Sequence, residues 1–200
     1  MPENIRTPIQ KRSIQTKQSI IEAGYKLISK KGYFNTNTTE IAKEANVSTG
    51  IVYGYFHNKK DILYEVLNIY IERAFAPVID LICSYDKSSS IEDLAKNVLT
   101  MAVEIHKENA GIHEALHSLS STDKYVEETF MKYEDTLTKD LVEAFTKMGY
   151  TQNDLTERVH LAMELVQSYA HERVFDNHSY INYEEMYKLI CNVIVDLFKI

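Results

Sequence analysis

Beyond residue 8 the chain contains a single proline, Pro77, and only six glycines. Proline and glycine are the residues that most often interrupt helices, so long helices are compatible with nearly the whole sequence. Hydrophobic residues make up 44% of the 200 positions, which is enough to bury a core in one or two domains. We therefore predict an all-α protein.

The sequence also indicates the compartment in which the protein is expected. It has no run of about 18 apolar residues, and its first residues, MPENIRTPIQKRS, lack the apolar stretch of a signal peptide. We expect a cytoplasmic protein that does not insert into a membrane. Cys83 and Cys191 lie in apolar helical patterns without CxxC spacing, so we expect reduced core cysteines.

Charge is distributed unevenly. Residues 1–63 contain ten lysines and arginines against five acidic residues, whereas residues 64–200 contain 12 against 24. The first segment therefore carries +5 and the second −12, which together give the net charge of −7. A basic module on an acidic body indicates that only the first part contacts a polyanion.

Two helices are predicted near the N-terminus. Apolar residues recur at helical spacing from Lys17 to Ile28, and KKG at 30–32 supplies the cations and glycine typical of a helix end. A second helix of about two turns begins at NTTE, where Asn37 or a threonine can cap it and Glu40 can complete a capping box.

A tight turn then precedes the segment STGIVYGYF at 48–56. Asn46 can adopt the left-handed conformation and Ser48 can cap the next helix. Two short helices joined in this way match a helix-turn-helix, whose second helix enters the DNA major groove. Each glycine of the segment costs about 1 kcal/mol of helix propensity; Gly50 would permit close approach to DNA, and Gly54 would serve either that purpose or helix packing.

The aromatic and β-branched residues of this segment have two interpretations. Tyrosine hydroxyls can donate to phosphates, and small or apolar side chains can contact base edges. Alternatively, Val52, Tyr55 and Phe56 only fill the core of a small bundle; for Phe56 and Val47 we favour that interpretation.

The segment TTEIAKEANVSTGIVYGYFHNKKDIL resembles the DNA-binding signature of TetR/AcrR-family transcriptional regulators. The resemblance covers about residues 12–63. Asn46 stands where glycine is usual, a conservative change because asparagine also tolerates positive φ. Gly54 is a second, milder departure.

The resemblance implies a DNA-binding domain at residues 1–58, with 1–12 as a flexible basic arm, and a larger helical ligand-binding and dimerisation domain at 59–200. It implies a homodimer that places two recognition helices on double-stranded DNA, in successive major grooves of a palindromic operator. Lys11 and Arg12 would add contacts from the arm. The implied DNA-binding residues are Thr38, Thr39, Ser48, Thr49, Gly50, Val52, Tyr53, Tyr55, His57 and Lys59.

The acidic body is predicted to be helical throughout. Asn58 caps a long helix that extends to about Cys83 and that Pro77 should kink or interrupt. Ser89 forms a capping box with Glu92. Further helices are predicted at about 91–108, 111–119, 124–148, 153–175 and 183–198.

The last two helices carry broad apolar stripes. The resemblance implies that they pair with their symmetry mates in a four-helix dimer interface, although a monomer core could also absorb them. The implied interface residues are Val159, Met163, Val166, Ala170, Ile190, Val193, Ile194 and Leu197.

The helices between residues 91 and 148 would enclose a cavity for a small, mostly apolar effector. Each lining residue could equally be plain core. The candidate effector residues are Met101, Ile105, His106, His113, His117, Phe130, Tyr133 and Tyr169.

Residues 113–117 spell HEALH, which fits the HExxH motif of zinc hydrolases. The glycine and third histidine of the longer metalloprotease motif are missing, so a third ligand would have to be Glu127, Glu128 or Glu134. A metal-responsive regulator that uses His113 and His117 is a second alternative. We expect neither an enzyme nor a cofactor, and predict a transcriptional regulator, a repressor in preference to an activator, that its effector releases from DNA.

Overall fold

A computed structural model describes residues 10–85 and 90–199 of the chain. The described residues contain helices and no strand, which confirms the predicted all-α class. The helices are α1 (Lys11–Lys31), α2 (Thr38–Glu44), α3 (Thr49–Tyr53), α4 (Lys59–Cys83), α5 (Ile91–Glu108), α6 (Ala110–Ser120), α7 (Lys124–Lys147), α8 (Leu155–Val174) and α9 (Tyr183–Leu197).

The first helix begins earlier than its apolar pattern indicates. α1 starts at Lys11, six residues before the predicted start at Lys17, and no side chain caps it. Lys11 and Arg12 therefore belong to a helix, and not to a flexible arm; residues 1–9 lie outside the described part. α1 ends as predicted at Gly32, whose φ of 79° favours glycine.

The long helix α4 also begins as predicted. The Asn58 side chain accepts hydrogen bonds from the backbone N–H groups of Lys60 (2.7 Å) and Asp61 (3.1 Å). The helix continues through Pro77, so this proline does not interrupt it. The predicted cap Ser89 lies outside the described residues.

The chain divides into two compact units. Unit 1 comprises Met1–Glu72 and Asn109–Thr129, and unit 2 comprises Arg73–Glu108 and Phe130–Ile200. This division differs from a boundary after residue 58, because unit 1 includes the first half of α4, all of α6 and the start of α7.

In unit 1, α1 packs against both α2 and α6. The contact with α6 is so close that a Cβ atom on Gly111 would lie 2.4 Å from the Ser29 carbonyl oxygen. The Tyr25 hydroxyl also donates a hydrogen bond to the Asn109 side chain. Glycine at position 111 is therefore a condition for this helix pair.

A buried carboxylate joins α4 to the start of α7 within unit 1. Asp123 accepts from the Lys60 ammonium at 2.5 Å and from the Tyr64 hydroxyl at 2.9 Å. It also caps α7, because its Oδ1 accepts from the backbone N–H groups of Tyr125 (3.0 Å) and Val126 (3.3 Å). Burial alone would raise the pKa of Asp123, but the bonds from Lys60 and Tyr64 outweigh it, so the pKa is lowered.

The core of unit 2 is built mainly by α5, α8 and α9, which pack on one another. Phe145 of α7 stacks on Phe198, with ring centroids 4.4 Å apart. Cys191 is buried in this core, as predicted, whereas Cys83 is exposed, so the prediction of a core position for Cys83 is wrong. None of the described helices is both long enough and apolar enough to cross a membrane.

Replacement of Asp123 by asparagine should lower the free energy of unfolding at pH 7 by about 1 kcal/mol, because the hydrogen bonds from Lys60 and Tyr64 lose their charged acceptor while the half-exposed Lys60 stays solvated. The folded-state pKa is lowered, so this stabilisation is present above the unfolded pKa of about 4 and is lost as pH falls through the folded-state value. Urea unfolding of both proteins at pH 7 and pH 3 measures the difference, which should shrink at pH 3. The exposed control Asp135→Asn should stay within about 0.5 kcal/mol of wild type; an equal gap at both pH values would contradict the ion-pair account.

Candidate nucleic-acid interface

The turn between α2 and α3 is defined by local hydrogen bonds. Asn37 and Glu40 form the predicted capping box at the start of α2. At its end Asn46 adopts φ 55°, its N–H donates to the Lys43 carbonyl (3.1 Å), and the Val47 N–H donates to the Ala42 carbonyl (2.9 Å). These two bonds form a Schellman motif. The left-handed asparagine predicted from the sequence is confirmed.

Helix α3 presents one face to solvent. The Ser48 side chain caps it by accepting from the Ile51 N–H at 3.3 Å. Gly50 and Ile51 are exposed, and Ile51 leaves 43% of its surface free. From the sequence the exposed part of Ile51 and Val52 could reach base edges; the structure leaves Ile51 exposed and buries Val52.

Two predicted DNA contacts belong instead to the core of unit 1. Val52 is fully buried, so it does not reach a base edge. Tyr55 is also buried, and its hydroxyl lies 2.8 Å from the Ser13 hydroxyl of α1. The core interpretation that the sequence left open is correct for both residues, and also for the buried Phe56.

Lys59, which the sequence assigns to phosphate binding, makes contacts within the protein. Its ammonium donates to the backbone carbonyls of Tyr33 and Thr36, each at 2.8 Å, and lies 4.1 Å from the centre of the Tyr33 ring. Burial lowers the pKa of Lys59. Lys59 therefore holds the α1–α2 loop, and its contact with a DNA phosphate stays a prediction.

The remaining predicted residues form a polar surface on α2, α3 and the following turn. The hydroxyls of Thr38 and Tyr53 lie 3.1 Å apart, which joins the two helices at their surface. Tyr53 remains 45% exposed. Thr39, Ser48, Gly50 and His57 are exposed, and Thr38 and Thr49 are half-buried.

Several cations of unit 1 are held by acids of the same unit. Lys17, Lys26 and Lys31 pair with Glu65, Glu44 and Glu40, and Lys60 pairs with Asp123. No described acid pairs with Lys11, Arg12 or Lys43, and all three are exposed. Their charge is available to an external polyanion.

Comparison with known proteins identifies this arrangement. The profile described as "Bacterial regulatory proteins, tetR family" matches residues 20–66, which include α2, the turn and α3. Over these residues the chain is similar to the DNA-binding domain of TetR-family regulators. The matched model and the similar curated proteins are those of transcriptional regulators, so the zinc-hydrolase alternative is not favoured.

Curated transcriptional regulators are similar to the chain over short stretches. The regulator HbdR of Aromatoleum sp. is 47% identical over 53 residues, and the fatty acid metabolism regulator protein of Bacillus subtilis is 41% identical over 58. These matches cover 26% and 27% of this chain but only 23% and 30% of the relatives. The chain thus aligns with less than a third of the curated relatives it matches.

Solved structures extend the likeness in fold to nearly the whole chain. A TetR-family transcriptional regulator from Mesorhizobium loti aligns over 94% of this chain and 97% of its own, with a TM-score of 0.75 and 16% identity. A regulator from Saccharomonospora viridis in complex with choline aligns over 89% and 94%, with a TM-score of 0.65 and 17% identity. At such identities the likeness concerns the fold.

The eight candidate effector residues fall in different units. His113 and His117 belong to unit 1, and the other six to unit 2. The His113 Nδ1 atom lies 3.0 Å from the Tyr70 hydroxyl, His117 is exposed, and their ring centres are 5.5 Å apart. No metal-binding group of three among the described residues includes either histidine. The metal-responsive alternative at HEALH is therefore not favoured.

Within unit 2 the candidates differ in environment. His106 is buried and its Nδ1 atom lies 2.8 Å from the Ala102 carbonyl. Tyr169 is also buried. Met101, Ile105, Phe130 and Tyr133 are half-buried. A groove of about 550 Å³ in this unit is lined by none of the eight; its lining residues are Ile79, Cys83, Tyr85, Asp140, Glu143, Ala144, Lys147 and Met148.

Half of the candidate dimer residues face inward. Val159, Ala170, Ile190 and Ile194 are buried in the core of unit 2, so they cannot form a surface between protomers. Met163, Val166 and Leu197 are half-buried, and Val193 is 45% exposed. The sequence pattern missed the exposed apolar residues Leu161 and Leu189 on the same two helices.

A pair of tyrosine variants separates the DNA surface from the core. Tyr53→Phe removes an exposed hydroxyl and should weaken binding to all DNA sequences about fivefold, with little change in stability. Tyr55→Phe removes the bond to Ser13 and should lower the free energy of unfolding by about 1 kcal/mol, with DNA affinity nearly unchanged. Fluorescence anisotropy with cognate and scrambled duplexes, together with urea unfolding, measures both quantities. The opposite pattern would show that the two side chains have been assigned to the wrong surfaces.

Proposed function

We propose that this protein is a ligand-responsive repressor that binds a palindromic operator as a homodimer and that a small, mostly apolar effector releases from DNA. The main support for the proposal is the exposed face of α3, which follows the Schellman motif at the end of α2. Gly50, Ile51 and Tyr53 are exposed on this face, and a Cβ atom at Gly50 would meet no atom closer than 3.9 Å. Such a face suits the floor of a major groove.

The case for a homodimer is the apolar surface left on α8 and α9. Leu189 is 63% exposed and Val193 45% exposed, one helical turn apart on α9, and Leu161 of α8 is 47% exposed. Large apolar side chains exposed together on neighbouring helices mark protein interaction sites. A second copy of the chain can cover this surface and supply the second recognition helix.

A buried polar atom supports the proposal of an effector. The Tyr133 hydroxyl is inaccessible to solvent and has no hydrogen-bond partner among the described residues. The Tyr133 ring packs on Phe75 with centroids 4.6 Å apart, and burial raises the pKa of its hydroxyl. An unsatisfied buried hydroxyl costs about 1–3 kcal/mol, which a ligand with a single acceptor could recover. The polar groove near Cys83 suits an apolar ligand less well, because Asp140, Glu143 and Lys147 line it.

The switch is energetically feasible. A change from 99:1 to 1:99 between DNA-binding and released states needs about 5.5 kcal/mol of differential effector affinity. Two effector sites of a dimer would each supply less than about 3 kcal/mol. Apolar contacts with a few polar groups can provide that amount.

Selection of bound duplexes from random DNA tests the operator. We expect an inverted repeat whose half-sites lie about one helical turn apart or a multiple of it. Affinity for the recovered site should fall steeply as salt rises, because basic residues displace counterions from phosphates. Enrichment of a single unrepeated half-site, or a flat salt response, would count against a dimer that contacts phosphates.

The dimer surface is tested by Leu189→Glu. A carboxylate at this exposed position should leave the fold intact but place a charge in the interface, so the protein should sediment as a monomer at micromolar concentration and lose operator binding. Met131 of α7 is 59% exposed, which makes Met131→Glu a matched control that should remain dimeric. If Leu189→Glu stays dimeric and binds the operator, the protomers associate through another surface.

A further inference from the structure

A histidine and two glutamates of unit 2 lie close together at its surface, and none of them belongs to the HEALH segment that the sequence singled out. His160 and Glu164 are one turn apart on α8, and Glu134 extends from α7. One ligand atom from each residue lies within 4.8 Å of the other two. We propose that Glu134, His160 and Glu164 bind a divalent transition-metal ion. This inference does not depend on the proposed function.

The spacing fits coordination better than a direct ion pair. The Nδ1 atom of His160 lies 3.6 Å from an Oε1 atom of Glu134, which is too long for a hydrogen bond. Ligand atoms bound to zinc at about 2.0–2.2 Å in a tetrahedral site are about 3.3–3.6 Å from one another. The observed separation therefore corresponds to one edge of such a site.

The charges at this position favour a cation. Neither Glu134 nor Glu164 pairs with a lysine or arginine in the part of the chain that the structure describes. Two carboxylates held within 4.8 Å of each other repel, and a bound dication would reverse this repulsion. Together with a neutral imidazole they would form an electrically neutral metal site.

The ligand set indicates the class of metal. One imidazole and two carboxylates match borderline first-row ions, among which zinc binds more tightly than manganese or iron. His160 and Glu164 are exposed and Glu134 is half-buried, so an ion can enter from solvent and water can complete its coordination. Bound metal would join α7 to α8, next to Leu161 in the chain.

Zinc titration of the full-length, untagged protein by calorimetry tests the site. We expect saturable binding of one zinc per chain and a thermal midpoint that rises with zinc concentration. His160→Ala, Glu134→Gln and Glu164→Gln should each weaken binding by about tenfold or more. The matched controls Glu157→Gln, also exposed on α8, and His117→Ala, in HEALH, should bind zinc as the wild type does.

Circular dichroism and urea unfolding without zinc should show that the variants fold normally. If Glu134→Gln destabilises the chain, the exposed His160→Ala variant alone decides the outcome. The proposal is overturned if the wild type shows no saturable binding, if His160→Ala binds zinc with unchanged affinity, or if His117→Ala is the variant that loses it.

Discussion

The left-handed backbone of Asn46 determines where the recognition helix begins. At φ 55° this residue turns the chain so that two backbone bonds close the end of α2 and Ser48 is placed to cap α3. α3 is only five residues long and could not form by propensity alone. Its position depends on this turn and on burial of Val52. The position of the surface that faces DNA therefore depends on this single turn.

Through the contacts within unit 1, the position of α3 also depends on α6. Gly111 allows α6 to approach the backbone of α1, and Asp123 binds Lys60 and Tyr64 of α4 while it caps α7. α1 in turn contacts the residues that follow α3, because the Ser13 hydroxyl lies 2.8 Å from the Tyr55 hydroxyl and the Lys17 ammonium lies 5.7 Å from the centre of the Phe56 ring. A displacement of α6 would consequently strain the helices that carry the DNA surface, because packed cores do not deform continuously.

Local features of the fold are predictable from the sequence, whereas the direction in which side chains face is not. Caps such as Asn37 and Ser48 depend on hydrogen bonds within a few residues, so spacing identifies them. The pattern misses the start of α1 because residues 11–16 contain a single apolar residue, Ile14, which gives no periodicity, and because no side chain caps the helix. Spacing assigns Lys59 to phosphate because its carbonyl partners at Tyr33 and Thr36 are distant in sequence.

The candidate dimer residues show more clearly that the sequence does not determine the direction in which side chains face. α8 and α9 have apolar residues on more than one face, and the pattern cannot tell which face the monomer core takes. Val159 and Ile190 are predicted for the interface but are buried, while Leu161 and Leu189 are absent from the prediction and are exposed. The packing of α5, α8 and α9 on one another decides this orientation. The triad of Glu134, His160 and Glu164 is invisible in the sequence for a related reason, since two helices have to be brought side by side.

At position 50 the fold itself does not require glycine, whereas contact with DNA can explain it. A Cβ atom at this position would meet no atom closer than the Ser48 hydroxyl oxygen at 3.9 Å, so the fold does not require glycine there. At Gly111 the same atom would collide with the backbone of Ser29. Gly50 nevertheless costs about 1 kcal/mol of helix propensity relative to alanine. A residue that weakens a five-residue helix without relieving any internal contact is best explained by a surface outside the chain, and the groove of DNA is the surface that α3 faces in the proposed repressor.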